Sequence, residues 1–382
     1  MDHTTRPHPV AQAPAERPVQ ADPDAVRVNP LPTRFGWLPG VFLLVVLVAG
    51  AAAALLTPAT YRWPTEGSLL RGEQAARYER LFNELLPFRD AAITTWGVLE
   101  YAVFREGREG VVVGRGGWLF TDEEFRFYEE GAAETARKLA YIGEVRGALA
   151  ERDVALIVAL VPDKGRVYRE FVGRALPSYT RGRYEGFRNA LQEQGVFAPD
   201  LLGALTDAKA QGPTYLRTDT HWTPAGAEVA AETLAGALQQ ADVPGLFSSL
   251  YTTEITGTEP YRGDLFNFLP LGALQGWLGP RGEGLERRQT TAADPDAGGG
   301  LFGAQTIPVT LVGTSYSADE RWNFAGALQA ALGADVLNLA TEGRGPLPPM
   351  REYLASPELS DTPPSVVVWE IPERYLPMPE AP

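Results

Sequence analysis

The chain has 382 residues, 45% of them hydrophobic and 21% charged, which is enough for one large globular core or two smaller ones. Its 34 basic against 48 acidic residues leave a net charge of −14, and such a surface repels phosphate backbones, which argues against nucleic acid as a partner. Cysteine is absent, excluding disulfides, thiolate metal sites and a cysteine nucleophile.

Residues 1–34 are rich in Pro and Ala without apolar periodicity, the composition of a disordered tail. Two of the three histidines, His3 and His8, lie in it, so His221 alone is left for folded structure and chemistry needing two imidazoles is excluded. From Pro39 to Leu56 runs a stretch with no charge, long enough to cross a bilayer as a helix and flanked by Trp37 and Trp63. Ala49-Gly50-Ala51 resembles a cleavage site, but the charged segment before it is long for a signal peptide. The reading is an uncleaved anchor over about 35–57, with arginines on both sides giving little orientation. A stalk or first helix follows within 58–110, marked by helical spacing from Glu73 to Leu86.

A large domain is expected over 111–382. Val111–Val113 and Trp118–Phe120 around a glycine turn predict a hairpin. A helix over about Ala132–Glu151 leads into Val154–Val161, an apolar run of strand length that suits a strand buried on both faces. Thr223 as N-cap and Pro224 in the first turn open a helix to Gln239. Residues 245–305 read as an irregular, Gly-rich insertion ending in the loop Asp294–Gly300. The last third alternates: strand Thr306–Val312, helix Asn323–Leu332, strand Asp335–Ala340, helix Leu347–Leu354, strand Ser365–Ile371. This alternation predicts an α/β fold with a doubly wound, mostly parallel sheet.

Three residues hold the chemistry. Asp219 and His221 are two apart, so in extended chain both side chains leave one face, and the carboxylate can accept Nδ1–H while Nε2 acts as base. A D-x-H in a turn that bonds only its own backbone has the same sequence. Ser315, in Gly313-Thr314-Ser315-Tyr316-Ser317, stands at the carboxyl end of a strand, where doubly wound sheets place their sites. It lacks the second glycine of an α/β-hydrolase elbow. Together these three complete the inventory of nucleophilic acyl transfer. Glycine clusters at 114–117 and 343–345 lack the residues of a phosphate-binding loop, and no metal-ligand spacing stands out, so neither metal nor cofactor is expected. A two-carboxylate glycosidase stays open, because 48 acidic residues supply many pairs.

At these residues the sequence resembles the SGNH-type acetyltransferases of bacterial exopolysaccharide modification, the AlgJ and AlgX family. The matching pieces run in order over about 110–375: Gly117-Trp118-Leu119-Phe120, Val161-Pro162-Asp163-Lys164, Asp219-Thr220-His221-Trp222-Thr223, Gly313-Thr314-Ser315-Tyr316-Ser317, Trp322-Asn323-Phe324, Glu342-Gly343-Arg344-Gly345-Pro346 and Trp369-Glu370-Ile371-Pro372-Glu373-Arg374. The anchor, and the little chain left after Arg374 for a carbohydrate-binding module, place the likeness nearer the AlgJ branch. The resemblance implies Ser315 as nucleophile, His221 as general base and acid and Asp219 as its orienter. Tyr316, Asn323, Gly343 and Arg344 are the accompanying candidates for oxyanion or substrate contact. It further implies a polysaccharide acceptor, a membrane-bound O-acyltransferase as acetyl source, an inner-membrane anchor with a cytoplasmic tail, and a periplasmic catalytic domain. An esterase using the same triad, or a non-catalytic scaffold of an export complex, are the competing readings.

Overall fold

A computed structural model describes residues 36–241, 243–293 and 307–380. The tail 1–34 and the loop Asp294–Gly300 lie outside the described residues. The chain divides after Arg89 into two compact units.

In the first unit, α1 (Leu38–Leu55) contains no charged residue, buries none of its side chains against protein, and is long and apolar enough to cross a membrane. Further on, Trp63 stacks on Tyr78 of α2 (Glu73–Leu85), ring centroids 4.9 Å apart.

The second unit opens as α3 (Arg89–Leu99) continues into a wider turn, Glu100–Phe104. The antiparallel pair β1 (Val111–Val113) and β2 (Leu119–Thr121) follows, as its sequence predicts. Then come α4 (Gly131–Ala150), β3 (Ala155–Val161), α5 (Arg183–Glu193), α6 (Leu201–Asp207) and α7 (Pro224–Gln239). Thr223 caps α7 through its side chain, accepting from Gly226 N–H, with Pro224 at the first position.

The segment 245–305 is not irregular throughout. It carries a long antiparallel hairpin, β4 (Tyr251–Tyr261) and β5 (Glu283–Ala292), with a bulge between Ile255 and Gly257. Both strands are largely exposed, so the alternation of buried and exposed residues that marks a strand is missing. Threonine is what remains of the signal, at 252, 253, 256, 258, 290 and 291.

The chain ends in β6 (Val309–Val312), the single turn α8 (Ser315–Ala318), α9 (Phe324–Leu332), β7 (Val336–Asn338), α10 (Leu347–Leu354) and β8 (Val366–Pro372). Four parallel strands form the central sheet in the order β3-β8-β6-β7, so the last strand inserts beside the first. Ile157, Ala159, Val161, Val366 and Val368 face a core closed by α7 and α9. Leu156, Val158, Leu160, Val367, Trp369 and Ile371 face a second core under α4, α5 and α10. Two buried faces explain why β3 and β8 read as unbroken apolar runs. Each fully buried Val or Leu there contributes roughly 1.5–3 kcal/mol.

Candidate active site

The carboxyl end of β6 positions the serine. Gly313 closes the strand where a Cβ would lie 2.5 Å from Glu370 Oε2, so only glycine admits this approach. Thr314 then caps α8, and Ser315 is its first residue. Glu370, on β8 and fully buried, ties the turn down. It accepts from Thr314 N–H (2.7 Å), from Thr314 Oγ1 (3.0 Å) and from Ser317 Oγ (3.0 Å). Burial pushes its carboxyl above the usual range against those three hydrogen bonds.

Ser315, His221 and Asp219 come together. Ser315 Oγ lies 2.7 Å from His221 Nε2, and His221 Nδ1 lies 2.7 Å from Asp219 Oδ1. An ionised carboxylate accepts at Nδ1, so that nitrogen carries the proton and Nε2 receives the serine hydroxyl. Asp219 is buried; desolvation pushes its pKa up, but the hydrogen bond and charge of His221, with the Tyr261 hydroxyl and the Asp264 N–H, hold it below the usual carboxylate range. Its Oδ2 accepts from Tyr261 (2.7 Å) and from Asp264 N–H (2.8 Å), while Oδ1 also accepts from His221 N–H (2.9 Å). The imidazole stacks on Trp322 at 5.1 Å, and Trp322 Nε1 donates to the Ser315 carbonyl. Ser315 and His221 remain partly exposed, so both are reachable from solvent.

Two flanking elements hold this chain of groups. Lys164, buried at the start of the turn after β3, donates to the backbone carbonyls of Arg217 (3.1 Å) and Asp219 (2.8 Å) and to that of Leu119 in β2. Glu283 of β5 accepts from the N–H groups of Arg217 and Thr218, both at 2.7 Å. The hairpin thus grips the Asp219 segment from one side and the β1–β2 pair from the other.

The other candidates fall in different places. Tyr316 is buried, its hydroxyl donating to the Thr220 carbonyl at 2.8 Å, while its backbone N–H follows the serine. Asn323 has a left-handed backbone, φ 51°, and its amide donates to Thr290 of β5 at 3.1 Å. Gly343 and Arg344 line a different cavity, of about 240 Å³, which none of Asp219, His221 and Ser315 lines, and Arg344 pairs with Glu352 at 2.5 Å. Tyr261, Asp264 and Glu283 escape the sequence reading because they lie within 245–305, where the exposed strands carry no apolar periodicity. Lys164 and Glu370 are visible there only as members of motifs.

Beside His221 opens a cavity of about 230 Å³ lined by Tyr261, Arg262, Asn267 and Arg321. Asp219, His221 and Asp264 bring potential ligand atoms within 4.8 Å of one another. Both ring nitrogens, both Asp219 oxygens and Asp264 Oδ1 are engaged in hydrogen bonds, an arrangement suited to moving protons. A nucleophile, a base and an orienting carboxylate in line can form and discharge an acyl-serine.

Residues 111–373 match the family described as the SGNH hydrolase-like domain of the acetyltransferase AlgX. The chain is 45% identical to a probable alginate O-acetylase AlgJ of Pseudomonas putida over 314 residues, covering 81% of this chain and 82% of that one. With the Azotobacter vinelandii protein of the same description it shares 44% over 313 residues, covering 81% of each. The solved O-acetyltransferase domain of Pseudomonas putida AlgJ superposes with a TM-score of 0.66 at 45% identity, over 72% of this chain and 94% of that domain. By fold, motif order and sequence, the chain belongs to the SGNH-like acetyltransferase family of AlgX and AlgJ.

Proposed function

We propose that the protein is an exopolysaccharide O-acetyltransferase working through an acetyl-Ser315 intermediate, anchored in the inner membrane by α1 with its catalytic unit in the periplasm. The observation that carries the reading is the continuous hydrogen-bond chain from Ser315 through His221 to Asp219. Likeness to probable alginate O-acetylases supports the acyl group and the polymeric acceptor.

In the first half-reaction His221 Nε2 takes the Ser315 proton as Oγ bonds the acetyl carbonyl carbon. The carbonyl becomes an oxyanion, for which the N–H groups of Ser315 and Tyr316 are the donors. Ser315 is the first residue of α8 and has no intrahelical acceptor, while Tyr316 N–H meets only Thr314 Oγ1, at 3.5 Å. Collapse expels the donor's leaving group, which takes the proton from His221. In the second half a sugar hydroxyl gives its proton to His221 and attacks the acetyl-serine. The resulting oxyanion collapses and returns the proton to Ser315 Oγ. Asp219 stabilises the imidazolium both times. A membrane-bound O-acyltransferase is the proposed source of the acetyl group.

The test uses the full chain in detergent, exposed to an activated acetyl ester and examined by intact mass. The expected result is a gain of one acetyl group on Ser315, absent in Ser315→Ala and His221→Ala. Added oligosaccharide should then carry the acetyl away. Acetate release undiminished by acceptor would establish an esterase instead, and full polymer acetylation by Ser315→Ala in a deletion strain would establish a scaffold.

A further inference from the structure

The second unit carries an apolar stripe and a cluster of arginines, side by side, that the acyl-transfer site does not use. On α3 and its continuation, Gly97 packs against Pro270 and Tyr101 joins the small core formed by Leu265, Phe266, Leu269 and Leu271. On a helix, positions 96, 99 and 103 fall on the opposite side. Trp96, Leu99 and Val103 are there, and Trp96 and Val103 are 60% and 61% exposed. Phe104, at the end of the stripe, is 62% exposed and also forms one wall of a cavity of about 530 Å³.

That cavity gathers Arg105, Arg108, Arg115 and Arg174, with Glu106 and Glu109. None of the four guanidinium groups is in an ion pair among the described residues: Arg105 lies over the Tyr101 ring and Arg174 over Phe125, while Glu109 is drawn to Arg126 at 3.3 Å. A concentration of unpaired arginine on a chain of net charge −14 selects an anion, and guanidinium matches phosphate with paired N–H donors.

We infer that this face docks on the surface of an anionic bilayer: the stripe enters the interfacial region and a phospholipid headgroup phosphate occupies the arginine cavity. A polar partner would leave the stripe wet, and an apolar one would leave the arginines without a counter-charge. A surface with acyl chains beneath phosphates answers both. The chain itself supplies proximity, since Trp96 follows the end of the apolar helix at Leu55 by only about 40 residues. An exposed tryptophan beside aliphatic side chains and basic groups is the composition of interfacial helices. Docking would hold the catalytic unit against the membrane rather than swinging on its tether. The inference rests on α1 spanning the bilayer.

The absence of cysteine makes the test direct, because one introduced thiol gives one label. The full chain is reconstituted into phosphatidylcholine vesicles with or without phosphatidylglycerol, carrying a nitroxide at Leu99→Cys, Val103→Cys, Val45→Cys within α1, or exposed Thr256→Cys. Collision with oxygen, which partitions into lipid, is compared with collision with a water-soluble nickel chelate. With phosphatidylglycerol present, the oxygen-to-nickel ratio at 99 and 103 should stand several-fold above that at 256. It should return to the value at 256 on adding Arg105→Gln and Arg108→Gln, or on raising salt. Acetylation of Ser315 in each labelled chain reports that it is folded. A lipid-like ratio at 45 with water-like ratios at 99 and 103 would overturn docking alone. A water-like ratio at 45 would overturn the span. Shielding of 99 and 103 from both colliders would mean that protein covers the stripe, and the bilayer reading would fall.

Discussion

Asp219 accepts four hydrogen bonds, two from His221 and one each from Tyr261 and Asp264, and each lowers the energy of its ionised form. The Tyr261 hydroxyl is the one of these that a substitution removes without touching Asp219 or His221. Tyr261→Phe keeps the ring that packs edge-on to Trp322 and deletes the hydroxyl, which besides donating to Asp219 accepts from Arg321 at 3.3 Å. The carboxylate then loses one of the two groups that hold Oδ2, and with it part of the orientation that aims Oδ1 at Nδ1 of His221. The kcat per acetylatable site should fall about tenfold with KM unchanged, the scale of a charge-assisted hydrogen bond of ~1.5 kcal/mol. Loss of folded protein alone would lower the number of acetylatable sites and leave kcat per site where it was, so an unchanged kcat per site would deny Tyr261 this positioning role.

The element that sets Ser315 is β8 as much as β6. Glu370 lies on the face of β8 shared by Val366 and Val368, and it replaces their apolar packing by three hydrogen bonds to the turn that carries Ser315. Glu370→Leu has nearly the same bulk but leaves the Thr314 N–H and two hydroxyls buried without an acceptor. The expected loss of stability is about 2–4 kcal/mol, read by urea unfolding, with acetylation of Ser315 slowed more than folding is impaired. Glu370→Gln retains an acceptor for Thr314 N–H and should recover most of both; equal damage by the two variants would show that the charge, not the acceptor, matters. The same contrast of faces explains what the sequence reveals. β3, β6 and β8 are legible because burial on both sides makes them continuous apolar runs, and the serine is legible because it ends one of them. The β4–β5 hairpin is hidden because both its faces are polar, and with it Tyr261, Asp264 and Glu283. The Asn323 amide donates to Thr290 of that hairpin, a partner that the motif around it does not show. α5 and α6 also go unread, α5 because Arg, Glu and Gln interrupt its apolar positions, and α6 because it is only seven residues long.

At the scale of the whole molecule, buried charge and net charge act on stability in the same direction. Burial raises Glu124 to about 7, against the hydrogen bond from Gly165 N–H and the attraction of Lys164 and Arg374. An unfolded glutamate releases its proton near ~4.3, so between those values the folded chain holds a proton that the unfolded chain has lost. Stability therefore falls as pH rises through that window, and the loss is complete above 7. Burial also lowers Lys164 to about 8, opposed first by Glu124. Its penalty is absent above the unfolded value of ~10.4, grows as pH falls to 8 and is complete below that. Both penalties are thus fully present between 7 and 8, where the chain also carries −14. Asp219, held low, sets the opposite boundary: its contribution is present above ~3.9 and is lost only as strong acid protonates it. The unfolding temperature should accordingly be higher near pH 5 than near pH 7.5. Salt separates the two causes. At 1 M the Debye length shrinks to ~3 Å, which removes repulsion between exposed carboxylates and leaves a buried one nearly unaffected. The decline from pH 5 to 7 should survive 1 M salt in the native sequence and become shallower in Glu124→Gln, whose side chain still accepts from Gly165 N–H; what remains belongs to Asp163, Asp264 and Glu370, whose carboxyls burial also raises. If salt abolishes the decline in the native sequence, the whole effect belongs to the surface and Glu124 is ionised without cost.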